Sequence, residues 1–280
     1  MRIGGAIEKP YKDPEEWVGY AKDLRYSAVL SPVDSADDHA ARQEYLRAAK
    51  GNDLLIAEVG VWRNTLSKDD KERGAAMEYA KAQLALAEEL GASCCVNIIG
   101  SRSDTAWDGF SPENYDDDVY AMAVDGIREI IDSVAPERTY YTIEPMPWML
   151  PDSPEKYLQL IKDVDRKGFA VHLDFVNMIN CPERYLRSNE FIKHCFDLLG
   201  PYIRSIHAKD VLMEQAYTTL IHETIPGKGT LDHRYIMKLA EKLGPDTPVF
   251  VEHMSGYETY KEAAAYLRTK AEEAGVFVKG

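Results

Sequence analysis

Several residue types that would point to other chemistries are scarce. Only four cysteines occur in 280 residues (Cys94, Cys95, Cys181, Cys195), with no C-x-x-C pair and two of them adjacent. That argues against a disulfide framework and a cysteine-built metal site, and makes a reducing cytoplasm the expected compartment. No apolar run approaches the roughly 18 residues a membrane span needs, and the opening MRIGGAIEKPYKD lacks the apolar core of a secretory signal; a soluble protein with no membrane partner is expected. No Gly-x-Gly-x-x-Gly follows the first strand-like segment, so no nucleotide cofactor is expected. Basic residues number 33 against 47 acidic ones, a formal net charge of −14 with no Lys/Arg-rich run. That balance repels a phosphate backbone, and nucleic acid is not an expected partner.

What is present is a regular alternation. Short apolar or β-branched stretches (RIGGAI, YSAVLSP, DLLIAEVGVW, SCCVNIIG, YYTIEPMPW, FAVHLDF, IRSIHAKD and PVFVEHM) are separated by segments with helical spacing. Several of these helices are followed by Gly, as a left-handed C-terminal cap would be, and Ser153 before Pro154 reads as an N-cap with proline at the first helical position. Eight such units in 280 residues are the pattern of an α/β fold of the (β/α)8 TIM-barrel type. A doubly wound open sheet is the rival, but the missing glycine fingerprint disfavours it. No linker or low-complexity segment interrupts the chain, so residues 1–280 are expected to form one domain.

In such a barrel the C-terminal strand ends face the active site. Strands five to eight each finish with a metal-competent side chain: Glu144, Asp174, His207 and Glu252. Asp174 sits in the otherwise apolar AVHLDFVNM, where an isolated carboxylate would lose far more solvation than packing returns. Three carboxylates and one imidazole converging at one mouth suit a single divalent ion, Mn²⁺, Mg²⁺, Co²⁺ or Zn²⁺, and the ion offsets their mutual repulsion. Side chains alternate along a strand, so Thr142, His172, Ser205 and Phe250 share the inward face one layer below. His172 is the candidate for orienting a metal ligand, with buried packing as the alternative. Glu58, mid-strand, is expected to be ion-paired. His253, next to Glu252, is expected to point away from the axis. Trp62, Trp107, Phe110 and Trp148 fall in loops at the same mouth, where rings can stack on the C–H faces of a sugar or simply pack the loops. Arg102 and Lys228 are candidate partners for an anionic ligand group.

The segments IEP with Glu144, HLDFVNM with Asp174, IHAKD with His207, IPGKGTLD and VFVEH with Glu252 together resemble the xylose isomerase-like TIM-barrel sugar isomerases and epimerases, which include D-tagatose 3-epimerase and inosose dehydratase. The resemblance runs the length of the chain and is most specific in its second half. It implies that the four residues bind one divalent metal and that Glu144 and Glu252 also act as proton donor and acceptor. It further implies that Lys209, of the H-x-K-D segment, sits beside the site and contacts a substrate oxygen, and that the protein forms homo-oligomers. The chain departs from the ketose 3-epimerases at Leu150, Asn177 and Met213, where those enzymes carry a glutamate, a histidine and an arginine that hold sugar hydroxyls. The scaffold is therefore expected to persist with a different grip on substrate, with Asn177 among the substrate contacts.

The chemistry expected is a metal-stabilised enediolate formed by removing the proton between adjacent carbonyl and hydroxyl carbons, followed by epimerisation or isomerisation of a sugar or polyol. Alternatives are a dehydratase or lyase on a keto-sugar or inosose, and a non-catalytic sugar-binding barrel. A DNA-cleaving barrel of the same superfamily would use more histidines than the seven present and basic loops.

Overall fold

The alternating segments become barrel strands β1 (Arg2–Gly5), β2 (Ala28–Leu30), β3 (Leu55–Gly60), β4 (Cys94–Ile98), β5 (Tyr141–Glu144), β6 (Phe169–Asp174) and β7 (Ile203–Ala208). A hairpin follows, β8 (Asp210–Glu214) and β9 (Leu220–Thr224), and β10 (Pro248–Val251) is the last barrel strand. In this computed structural model, which describes residues 1–280, all barrel pairings are parallel and the sheet closes in the order β1-β10-β7-β6-β5-β4-β3-β2. The expected (β/α)8 barrel is the fold observed.

Helices α1 (Pro14–Asp23), α2 (His39–Gly51), α3 (Asp70–Leu90), α4 (Asp117–Val134), α5 (Pro154–Val164), α6 (Pro182–Leu186), α7 (Ser188–Leu199), α8 (His233–Glu241) and α9 (Tyr257–Glu273) surround it. Local chemistry sets their starts. Asp13, Asp69 and Ser153 accept from backbone N–H groups of their own first turns, satisfying donors that the helix cannot. Their ends follow the glycine expectation only partly. Gly91 caps α3 at φ 68°, whereas α4 and α5 end on Ala135 and Asp165 in the left-handed region, and Gly200 stays right-handed.

The main core lies between strands and helices, and a smaller one fills the lumen, where Ala28, Ala57 and Phe250 pack together. A Cβ on Gly4 would meet the Ala28 carbonyl oxygen at 2.1 Å and the Phe250 ring at 2.7 Å, so β1 must be bare there for the ring to fit. Arg2 closes the N-terminal face: its guanidinium donates to the Ser27 and Asp53 carbonyls at 3.1 and 2.6 Å and pairs with Asp53 and Asp246, each at 2.7 Å.

The hairpin and the short helix α6 were not foreseen. Only Val211 of the hairpin enters the apolar core, and its second strand is largely exposed, so it leaves no strong period-two signal. Its base is fastened by Asp210, whose buried carboxylate accepts from the backbone N–H groups of Val211, Gly227 and Leu231 at 2.9, 3.0 and 3.0 Å. A Cβ on Gly229 would lie 2.2 Å from that carboxylate. The K-D and P-G-x-G pieces of the sequence thus form one clamp, with the glycine leaving room for the aspartate.

Glu144 owes its position to α5. The fully buried Tyr157 hydroxyl reaches across to β5 and β6, accepting from the Ile143 N–H at 3.1 Å and lying against the Ile143 and Ala170 carbonyls. Tyr157→Phe strands these buried groups and should lower stability by about 1–3 kcal/mol. Urea unfolding checks this, and an unchanged midpoint would contradict the role given to the hydroxyl.

Candidate metal centre

Each barrel strand on one side of the mouth delivers one side chain. Glu144 ends β5, Asp174 ends β6, His207 is the penultimate residue of β7, and Glu252 directly follows β10. One ligand atom from each of the four lies within 4.8 Å of every other, and three of the residues are buried. The Nδ1 atom of His207 is 2.8 Å from Glu252 Oε2 and 3.4 Å from Glu144 Oε1. The four residues singled out in the sequence therefore do converge.

The cluster is short of positive charge. Lys209, 1 % exposed, is its one built-in ammonium, with Nζ 2.7 Å from Asp174 Oδ2, 2.8 Å from Glu252 Oε2 and 3.9 Å from Glu144 Oε1. Three carboxylates against one ammonium leave a formal charge of −2, which a divalent ion cancels. Burial pushes the Glu144 carboxyl up to about 7, with Glu252 adding to the rise. Burial pulls His207 down, but Glu252, Glu144 and Glu58 outweigh it and hold the imidazole well above its ordinary range. Burial also raises Glu252, and there His207 and Lys209 outweigh it and keep the carboxyl well below its usual range. Protons thus stand where a metal would otherwise compensate the carboxylates.

Asp174 Oδ2, His207 Nδ1 and Glu252 Oε2 are buried without an aligned hydrogen bond, despite the nearby ammonium. Orphaned acceptors aimed at one point are what a cation site requires. The donor set of three oxygens and one nitrogen fits Mn²⁺, Mg²⁺, Co²⁺ or Zn²⁺.

The surrounding residues sort into those that face ligand space and those that do not. A cavity of about 710 Å³ opens beside His207 and Glu252, walled by Trp62, Leu30, Val33, Phe250 and Met254. Trp62 holds φ 48°, rare for a bulky residue, and a Cβ on Gly60 would lie 2.2 Å from its indole nitrogen, so the backbone is shaped to lay the ring along this wall. A second cavity, also about 710 Å³, lies on the other side and includes Trp148 and Asn177.

Asn177 is tied to the centre itself: its amide donates to Glu144 Oε1 at 3.1 Å and its N–H to Asp174 Oδ1 at 3.0 Å. Lys209 sits at the centre, as the resemblance implies; it lines neither cavity and is a counter-charge to the carboxylates that enclose it. Arg102 is engaged within its own loop region. Its guanidinium donates to the Leu66 carbonyl at 3.0 Å and lies 3.7 Å from Glu113, so the strand-four loop consumes it and it lines neither cavity. Lys228 is exposed on the loop after β9. Trp107 and Phe110 are also exposed, Phe110 packing edge-on to Trp148 at 6.5 Å.

His253 was missed. It was expected to face away, but at φ 55° the chain turns sharply after β10, and Nδ1 sits 3.2 Å from Lys209 Nζ and 3.0 Å from Glu223 of β9. Glu223 also lies 3.3 Å from Lys209, so the unforeseen hairpin supplies a fourth acidic neighbour of that ammonium. Adjacency to Glu252 implied the opposite face only for a strand that continued. Glu58 is engaged by Ser205, His207 and His172 in the lumen, as expected of an ion-paired residue. His172 is fully buried, its ring edge-to-face with His207 at 4.0 Å, and burial, followed by the neighbouring His207, lowers its pKa to about 4.

No sequence among curated proteins matches this chain. Solved structures share its fold: D-psicose 3-epimerase with D-tagatose from Clostridium cellulolyticum H10 (14 % identity, 99 % of this chain and 100 % of the other, TM-score 0.71); 3-keto-D-glucoside 4-epimerase from E. coli (18 %, 96 % and 99 %, 0.70); and a xylose isomerase-like TIM barrel protein from Mycobacterium smegmatis in complex with magnesium (17 %, 97 % and 92 %, 0.69). The family model described as xylose isomerase-like TIM barrel matches residues 18–270, and with the barrel and its mouth as found, the chain belongs to that family.

Proposed function

We propose that this protein is a divalent-metal-dependent isomerase or epimerase of an uncharged sugar or polyol. The observation that carries the reading is the convergence of Glu144, Asp174, His207 and Glu252 on one buried point next to an aromatic-walled cavity. Similarity in fold to two epimerases supports it.

Glu144, Asp174, His207 and Glu252 would hold the ion. When bound, a divalent ion polarises adjacent carbonyl and hydroxyl oxygens and lowers the barrier to losing the proton between them. The chain's own residues do the rest. Glu252 keeps Oε2 at the cluster while Oε1 lies 3.4 Å from His253 Nε2, giving one carboxylate both a holding and a proton-moving oxygen. Glu144 is held by Asn177 on the β6 side. The two glutamates, from strands separated in the barrel by β6 and β7, are the acid and base: one removes the proton and the other returns one. Lys209 offsets part of the negative charge of Asp174 and Glu252. Trp62 offers its ring to the C–H face of the substrate.

Charge around the cavity narrows the substrate. Glu8, Asp34, Asp37 and Glu58 line it with Glu252, and no lysine or arginine does. Arg63, the guanidinium next to this wall, stacks on Tyr79 at 4.8 Å and is absent from the lining. Away from the imidazoles of His207 and His253, a phosphate or carboxylate there would face like charges with no lysine or arginine to offset them, so a neutral polyhydroxy compound is the ligand class that fits better.

Two outcomes follow. Adding Mn²⁺ to about 100 times its Kd should stabilise the protein by about 2.7 kcal/mol, seen as a rise in Tm that a chelator reverses and Asp174→Asn abolishes; a Tm indifferent to metal opposes the reading. In D₂O with metal and a panel of free ketoses, inososes, 3-ketoglycosides and ketose phosphates, a neutral member should take up deuterium at the carbon between carbonyl and hydroxyl. Glu252→Gln should slow that exchange at least about 100-fold. An unsaturated product would move the assignment to a lyase, and binding without exchange would make the barrel a sugar-binding protein.

A further inference from the structure

One carboxylate in the lumen has no part in the chemistry above. Glu58, on β3, is 2 % exposed and lies one layer below the metal centre. Its Oε1 accepts from the Ser205 hydroxyl and lies 3.5 Å from His172 Nδ1, and its Oε2 lies 3.4 Å from His207 Nε2. The opposite ring nitrogen of His207, Nδ1, is the one that faces Glu252 and Glu144.

We propose that Glu58 is a positioning residue for the metal centre: it accepts the Nε2–H of His207 and thereby presents the Nδ1 lone pair to the cation. The inference rests on the metal reading given above. A neutral imidazole has one N–H and one lone pair, and the hydrogen bond made by one nitrogen decides which tautomer the ring adopts. In the wrong tautomer His207 would aim a proton at the ion. Glu58 is the acceptor facing Nε2, and its own orientation is fixed, because the Ser205 hydroxyl from the same strand as His207 holds the other oxygen. His172 braces the ring from the side: the two rings meet at 83°, centroids 4.0 Å apart. A carboxylate behind a ligating histidine raises the basicity of the ligand nitrogen as well as orienting it.

The strand register makes this possible. β6 and β7 place His172 beside Ser205 and Asp174 beside His207, so His172 and Ser205 share the layer below those two ligands. Glu58 enters from β3, four strands from β7 around the closed barrel, and reaches Ser205 and His207 across the lumen.

The test has two readouts besides activity. Mn²⁺ titration should give Glu58→Gln a Kd about 10- to 100-fold weaker than wild type; a folded variant with wild-type affinity overturns the proposal. In wild-type protein carrying ¹⁵N-histidine and loaded with Zn²⁺, long-range ¹⁵N–¹H correlation should place the His207 proton on Nε2. That measurement decides the matter even where the variant does not fold, since a proton on Nδ1 overturns the proposal. Wild-type protein that binds neither ion overturns the metal reading and takes this inference with it, an outcome distinct from normal wild-type binding with an insensitive variant.

Discussion

Mutual repulsion among carboxylates gathered at the mouth of a closed barrel is the constraint on which this structure turns. Glu144, Asp174 and Glu252 are brought within reach of one another by backbone geometry, because strand ends in a closed sheet have nowhere else to go. Solvent cannot separate such charges once they are buried, and one ammonium leaves them undercompensated. The protein therefore has either to favour protonation, the direction in which Glu144 and His207 are both shifted, or to hold a cation. The same imbalance extends into the cavity, which Glu8, Asp34, Asp37 and Glu58 line.

Much of the remaining architecture serves to keep those four groups still. Tyr157 of α5 steadies β5 from outside, Asn177 ties Glu144 and Asp174 together across the β5–β6 gap, and Asp210 clamps the loop from which the hairpin rises. The hairpin in turn brings Glu223 to Lys209 and His253. These supports are peripheral in sequence and central in space, as rigid placement of a reactive site requires.

How much of this could be read beforehand depends on what each residue's signal was. Glu144, Asp174, His207 and Glu252 were legible because four polar side chains at corresponding strand ends break an otherwise apolar pattern, and a barrel converts that register into proximity. The barrel itself was legible from the alternation of strand and helix. The contact of Arg102 with the Leu66 carbonyl was not legible, because a guanidinium in a long loop finds backbone carbonyls as readily as a ligand, and sequence does not distinguish them. His253 was misplaced because alternation was carried one residue past the end of β10, where a left-handed turn cancels it. The β8–β9 hairpin escaped because its second strand is largely exposed, and the enclosure of Lys209 escaped because its acidic neighbours come from four different elements. For Arg102 and Lys209 the missing information was long-range contact, which no local pattern encodes; for His253 it was the local turn.

The central claim is that one divalent cation completes the cluster. Crystals grown with Mn²⁺ and measured at the manganese absorption edge test it most directly. The account predicts one strong anomalous peak per chain, bonded to side-chain atoms of Glu144, Asp174, His207 and Glu252, with Lys209 displaced from the carboxylates it now approaches. A map without a peak there, with the ammonium still lodged between Asp174 and Glu252, would contradict it.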